Sequence, residues 1–193
     1  NSLPISELPK FLKKMNANKD ALPTTLLAMK FVIFTFVRTQ ELRLADWKEF
    51  DIDSSEPLWV IPADRMKMRK THHVPLSRQA VKILNEMQQY SGKEGYVFPQ
   101  FYNSKKVIGE NTLLFFSNRL GYAGRHTIHG FRSVASTVLN ESMKWHPDVI
   151  ERQLAHQESN KVRSAYNRAE HLEERRRMIQ WWSDYIYSLI SSR

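Results

Sequence analysis

The chain has 193 residues, is 41% hydrophobic and carries a formal net charge of +9, which suits one folded domain with its own core. Residues 1–60 hold eight Lys/Arg against eight Asp/Glu and residues 61–193 hold 21 against 12, an asymmetry that suggests a polyanion-binding face. The lack of cysteine excludes a disulfide framework, a thiolate nucleophile and a Cys-based zinc site, and it fits a reducing cytoplasm.

In chain order, Leu8, Phe11 and Leu12 repeat at helical spacing from Ile5 to about Lys14, with Ser6 as a cap. Apolar density from Leu22 to Val37 predicts a long, mostly buried helix. Its greasiest run, Phe31 to Val37, is bracketed by Lys30 and Arg38 and falls well short of the ~20 apolar residues of a membrane span. Thr39 to Leu44 reads as a short helix. Strands are expected around Trp47 to Ile52, at Pro57–Pro62 and at His72–Leu76, so that Asp64 to Thr71 connects two strands of a small antiparallel sheet and Lys67 projects from a hairpin. Helices follow at Ser77–Gln89, Asn111–Leu120, Gly130–Glu141, Pro147–Leu154, Lys161–Asn167 and His171–Ile190. No repeat or long linker divides the chain. The start at Asn1, without an initiator methionine or a secretory signal, reads as an excised domain.

His129 and Arg132 stand three apart, so on a helix they share a face and can address one ligand. A helix beginning near Ile128 or His129 would add its amides and dipole to an anion site. An isolated HxxR is more often a surface arginine beside a capping or core histidine. Arg38 ends the most hydrophobic helix with Glu41 three residues on; it is either a structural ion pair or an oriented guanidinium able to fork two hydrogen bonds to a phosphate. Of seven tyrosines, Tyr166 lies in the basic segment Lys161 to Arg168 and is the least core-like. Tyr185 and Tyr187 share the apolar face of the last helix with Trp181 and Trp182. A phenol with a pKa near ~10 needs a base and nearby cations to act as a nucleophile, and His129, Arg38 and Arg132 could supply both. His126 and His129 have the spacing of two zinc ligands, but no third ligand completes the pattern, and no acidic cluster suits two-metal chemistry. Arg175-Arg176-Arg177 reads as a solvated helix face.

Arg38, Lys67, His129-Gly130-Phe131-Arg132, Leu154-Ala155-His156 and Tyr166, in that order, resemble the catalytic domain of the tyrosine recombinases, and the wording is similar to that of prophage and genomic-island integrases. The resemblance runs from about Thr24 to Tyr187. It implies a mainly α fold with a small three-stranded antiparallel β-sheet. It also implies a single catalytic domain over 1–193, with a core of about 20–170, a C-terminal helix of about 171–190, and the parent's N-terminal DNA-binding domains absent. Arg38 and Arg132 would clamp the scissile phosphate, while His129 and His156 add hydrogen bonds and handle protons. Lys67 would protonate the leaving 5′ oxygen as Tyr166 attacks phosphorus, giving a 3′-phosphotyrosyl intermediate with neither metal nor cofactor. The implied partner is double-stranded DNA at attachment sites, with a homo-tetramer of the full-length protein on DNA, a monomer for the isolated domain, no membrane, and a cytoplasmic location. The last helix, through Trp181, Trp182 and Tyr185, would dock on a neighbour. The rival readings are a type IB-like topoisomerase and a non-catalytic DNA-binding relic.

Overall fold

In a computed structural model, residues 1–67, 69–156 and 170–191 are described. Helix α1 (Leu8–Ala17) buries Leu8, Phe11, Leu12 and Met15, one face at helical spacing, and α2 (Pro23–Thr35) is buried nearly all round. Each starts with a proline in its first turn, where the missing N–H goes unused. The expected continuation of α2 to Val37 fails at Phe36, which turns left-handed at φ 40° and caps the helix. After α3 (Thr39–Arg43), strands β1 (Phe50–Asp51), β2 (Leu58–Ile61) and β3 (His72–Pro75) form an antiparallel sheet in the order β1-β2-β3. Trp59 faces Val74 and Ile61 faces His72 across β2 and β3, and all four side chains are buried. The β2–β3 connection carries Lys67, exposed as expected.

Helix α4 (Arg78–Ser91) starts at Ser77, whose hydroxyl accepts from Ala80 N–H at 3.2 Å. A second hairpin follows that sequence patterning did not signal: β4 (Pro99–Gln100) and β5 (Asn103–Val107). Then come α5 (Thr112–Ser117), α6 (Gly130–Glu141), α7 (Pro147–Gln153) and α8 (Leu172–Ser191). Gly130 is required by close packing, because a Cβ there would lie 2.6 Å from Asn1 O. No described helix is long and apolar enough to cross a membrane.

Helix α8 belongs to the chain's own core. Met178, Ile179, Trp182 and Ile186 are buried at i, i+1, i+4 and i+8, each worth roughly 1.5–3 kcal/mol of apolar burial. Trp182 Nε1 donates to Ile33 O at 2.9 Å, satisfying a carbonyl in the last turn of α2. Of the residues expected to meet a neighbour, Trp182 is used internally, packing edge-on against Phe36 at 6.0 Å, while Trp181 and Tyr185 are half-buried and stack on each other at 5.7 Å. Tyr187, expected on the apolar face, is 58% exposed because its position rotates away from that stripe.

His126 sits between Phe11 and Phe131 with 1% exposure, and neither ring nitrogen has a hydrogen-bond partner among the described residues. Burial lowers its pKa from 6.5 to about 4. The unfolded chain therefore binds a proton that the folded chain refuses, so this contribution to stability is complete above pH 6.5 and is lost as pH falls toward 4. With allowance for solvent screening the loss is on the order of 2 kcal/mol. Urea unfolding between neutral and acid pH should show a shallower loss for His126→Phe than for the parent. The slope should shrink but persist, because buried His72 is shifted the same way. An unchanged slope would exclude His126 as a source.

Candidate active site

Arg38 caps α3 immediately after the left-handed turn at Phe36. Its backbone N–H donates to Glu41 Oε2 at 2.8 Å and its Nη1 to Glu41 Oε1 at 2.8 Å. Glu41 is buried while Arg38 keeps 26% of its side chain exposed. The structural ion pair is present, and it fixes one edge of a guanidinium that still reaches the surface. Nη2 of Arg38 donates to Ala155 O at 2.9 Å.

Arg132, on α6, is 4% exposed. Its Nη1 donates to Phe36 O at 2.7 Å and its Nη2 to Leu154 O at 2.5 Å, while Nε has no partner among the described residues. The two arginines therefore lean on successive carbonyls, Leu154 O and Ala155 O, and must be neighbours. Phe36 and Ala155 are left-handed, with φ 40° and 49°, which costs a non-glycine residue on the order of 1–2 kcal/mol. The turned carbonyls of both residues are held by arginine hydrogen bonds, so the same contacts that retain the strained backbone also fix the guanidinium planes. This gives Leu154-Ala155-His156 its physical sense: two carbonyls that hold arginines, followed by an exposed imidazole. Burial first, then the adjoining Arg38 charge, lowers the Arg132 pKa to about 10, with Glu41 and Glu151 opposing the shift. Arg132 thus stays charged at neutral pH.

His129 is exposed at the N-cap of α6. Its pKa is lowered by partial burial and then by the charges of Arg132, Arg38 and His156, so it is a neutral imidazole near pH 7 facing the same cations. The expectation that the first amides of α6 would grip an anion is not met. The N–H groups of Gly130, Phe131 and Arg132 already donate to Thr127 O, Ile128 O and His129 O in the preceding turn, and the side chains provide the cationic surface instead. His156 Nδ1 lies 2.8 Å from Glu151 Oε2. A carboxylate only accepts, so Nδ1 carries the hydrogen and Nε2 is the nitrogen left for other chemistry.

Arg38, His129, Arg132 and His156 are thus brought together. Lys67 stands on its exposed connection, with no hydrogen bond or ion pair to them among the described residues. Tyr166 lies outside the described residues.

Three arginine-linked features went unread in the sequence. His72, on the core side of β3, is buried, and its pKa lies well below the ordinary value because of desolvation and then the charges of Arg175, Arg152, Arg38 and Arg132. Arg175, expected in a solvated run, is completely buried: Nε donates to Gln153 Oε1 at 2.9 Å, Nη1 to Glu170 O at 3.2 Å and Nη2 to His73 O. Burial lowers its pKa to about 9. Its position three before Met178 places it on the apolar stripe of α8, a periodic signal obscured by the arginine run. Glu170 receives Arg152, Arg175 and His73 together. Burial alone would raise its pKa, but the Arg152 hydrogen bond and charge, with His73, hold it below the usual carboxylate value.

Residues 1–173 match the model of the phage integrase family. The integrase of Enterobacteria phage P4 is 44% identical over 200 residues, covering 96% of this chain, and the chain spans 45% of that relative. Among solved structures, the integrase from mycobacterium phage Brujita is similar with a TM-score of 0.68 at 17% identity, over 100% of this chain and 65% of that one. The catalytic core of lambda integrase is similar with a TM-score of 0.59 at 16% identity, over 83% of this chain and 94% of that one. At these identities the two structural likenesses are ones of fold.

Proposed function

The chain belongs to the phage integrase family, and on that premise we propose that it is the catalytic domain of a site-specific tyrosine recombinase that cuts and rejoins DNA strands during integration and excision. The observation that carries this reading is the pair Arg38 and Arg132, held side by side on Ala155 O and Leu154 O, with Arg132 Nε unpartnered among the described residues. Two fixed cations that repel one another are stabilised by an anion between them, and most by the charge-rich transition state of a phosphoryl transfer. The same pair favours an enzyme over a non-catalytic relic.

In the proposed reaction the Tyr166 oxygen attacks phosphorus, the bond from phosphorus to O5′ breaks, and Lys67 gives the departing O5′ its proton. His129 donates its N–H to a non-bridging oxygen and its other ring nitrogen can accept the phenol proton, while His156, carrying a proton on Nε2 as well as on Nδ1, donates to a second non-bridging oxygen. The phosphotyrosyl ester conserves the bond energy, so a 5′ hydroxyl from a partner strand reverses the step without a nucleotide. Because the chain spans 45% of the P4 relative, we assign choice of attachment site to residues outside this chain. Assembly as four copies on DNA, and a cytoplasmic location, complete the reading. A lambda integrase tetramer bound to a Holliday junction, similar in fold over 85% of this chain with a TM-score of 0.60 at 14% identity, supports the four-copy assembly.

The test uses a nicked suicide substrate in EDTA, with oxygen or sulfur at the 5′-bridging position. Losing a general acid costs about 10²–10⁴-fold, and a thiolate, with its pKa near ~8.5, leaves without one. Lys67→Ala should fall by that factor on the oxygen substrate and return to within about tenfold of the parent on sulfur. Equal losses on both substrates would remove Lys67 from the acid role. No cleavage of either by the parent, alone or within a longer integrase, would overturn the recombinase reading.

A further inference from the structure

The β4–β5 hairpin places two aromatic side chains at its tip. Gln100 pairs with Asn103, leaving Phe101 and Tyr102 as a two-residue loop. Such loops favour Asn-Gly or Gly, which adopt positive φ readily; this one has neither residue, and neither position has positive φ. Instead it presents Phe101 at 45% exposure and Tyr102 at 90%, their rings in edge contact at 5.0 Å. On β5, Asn103, Ser104, Lys105 and Lys106 are all exposed, and Pro99 to Val107 contains no acidic residue. Local turn chemistry is thus set aside for an exposed, cationic and aromatic surface, the kind of local inconsistency that marks function.

The hairpin is tied to the element that carries the phosphate clamp. Ile108 O accepts from Arg43 Nε at 2.9 Å, and Val97 N–H donates to Ala45 O at 2.9 Å. Arg43 closes the five-residue helix α3, whose N-cap is Arg38. The rise of that helix, one side chain and six extended residues cannot put the tip more than about 35 Å from Arg38, roughly one turn of B-form DNA.

We propose that this hairpin is a second DNA-binding element, gripping the duplex within one turn of the phosphate held by Arg38 and Arg132. Lys105 and Lys106 pair with backbone phosphates, and the Phe101 and Tyr102 rings lie against deoxyribose and base surfaces. This rests on the recombinase reading above and adds to it a contact that takes no part in bond breaking. The bare rings favour a nucleic-acid surface over a protein one because two exposed lysines, with no ion pair among the described residues, follow them on β5 of a protein already strongly basic.

The experiment measures affinity for a fluorescent cognate duplex by anisotropy over about 50–200 mM salt, using the parent and two double variants. Lys105→Ala/Lys106→Ala should reduce the slope of log K against log salt by about two. Phe101→Ala/Tyr102→Ala, which keeps the negative-φ loop and removes only the rings, should weaken binding about tenfold at every salt concentration with the slope unchanged. Cleavage at saturating DNA should match the parent for both. Parental affinity in both variants overturns the proposal alone, whereas a parent without DNA affinity overturns the recombinase reading with it. Normal DNA affinity combined with loss of multimers on DNA would assign the hairpin to another copy of the chain and overturn the proposal.

Discussion

Arg132→Ala should lower DNA cleavage by at least about 10³-fold and also destabilise the fold, because the same guanidinium serves both ends. Its two structural bonds, to Phe36 O and Leu154 O, are buried, and each carbonyl left without a donor costs about 1–3 kcal/mol. The left-handed backbone at Phe36 and Ala155 would relax as well, releasing Arg38 from Ala155 O. Arg132→Lys separates the two effects. A single ammonium can answer one carbonyl or one phosphate oxygen but cannot span Phe36 O, Leu154 O and a ligand in one plane. The lysine variant should retain more stability than the alanine variant yet still lose about 10²-fold or more in cleavage rate. Single-turnover cleavage measured beside urea unfolding checks both. A lysine variant cleaving within about tenfold of the parent would contradict the planar-clamp account.

Much of this site is legible in the sequence for reasons of spacing. His129 and Arg132 at i,i+3 had to share a face of any helix that formed, and Glu41 at i,i+3 from Arg38 could close a local pair. Apolar periodicity likewise exposes α1, α2 and α8. The illegible part is backbone geometry. Nothing in the side chains of Leu154 and Ala155 announces that their carbonyls hold two arginines, and a bulky Phe36 at positive φ defies local preference. Such features are decided by tertiary contacts between residues about 20 to 120 positions apart. The β4–β5 hairpin escaped because Phe101-Tyr102 lacks the turn residues that mark one. Arg175 escaped because a run of three arginines outweighed its place on an apolar stripe. The Glu170 cluster could not be foreseen, since it joins β3, α7 and the approach to α8, which are far apart in the chain.

Tyr166→Phe should remove covalent attachment to DNA altogether, a loss of at least about 10³-fold, while leaving affinity for the duplex near that of the parent. The change deletes a single oxygen and keeps every cation of the clamp. Loss of adduct with binding intact therefore separates the nucleophile from the groups that position the phosphate. The direct measurement is to incubate the parent and Tyr166→Phe, alone and within a longer integrase, with a nicked suicide substrate bearing the cognate site. The covalent species is then resolved on a denaturing gel and its attachment point mapped by peptide mass spectrometry. A metal-independent adduct on Tyr166 that vanishes in the phenylalanine variant is the predicted result. An adduct that persists in Tyr166→Phe, or none from the parent in either form, would contradict it.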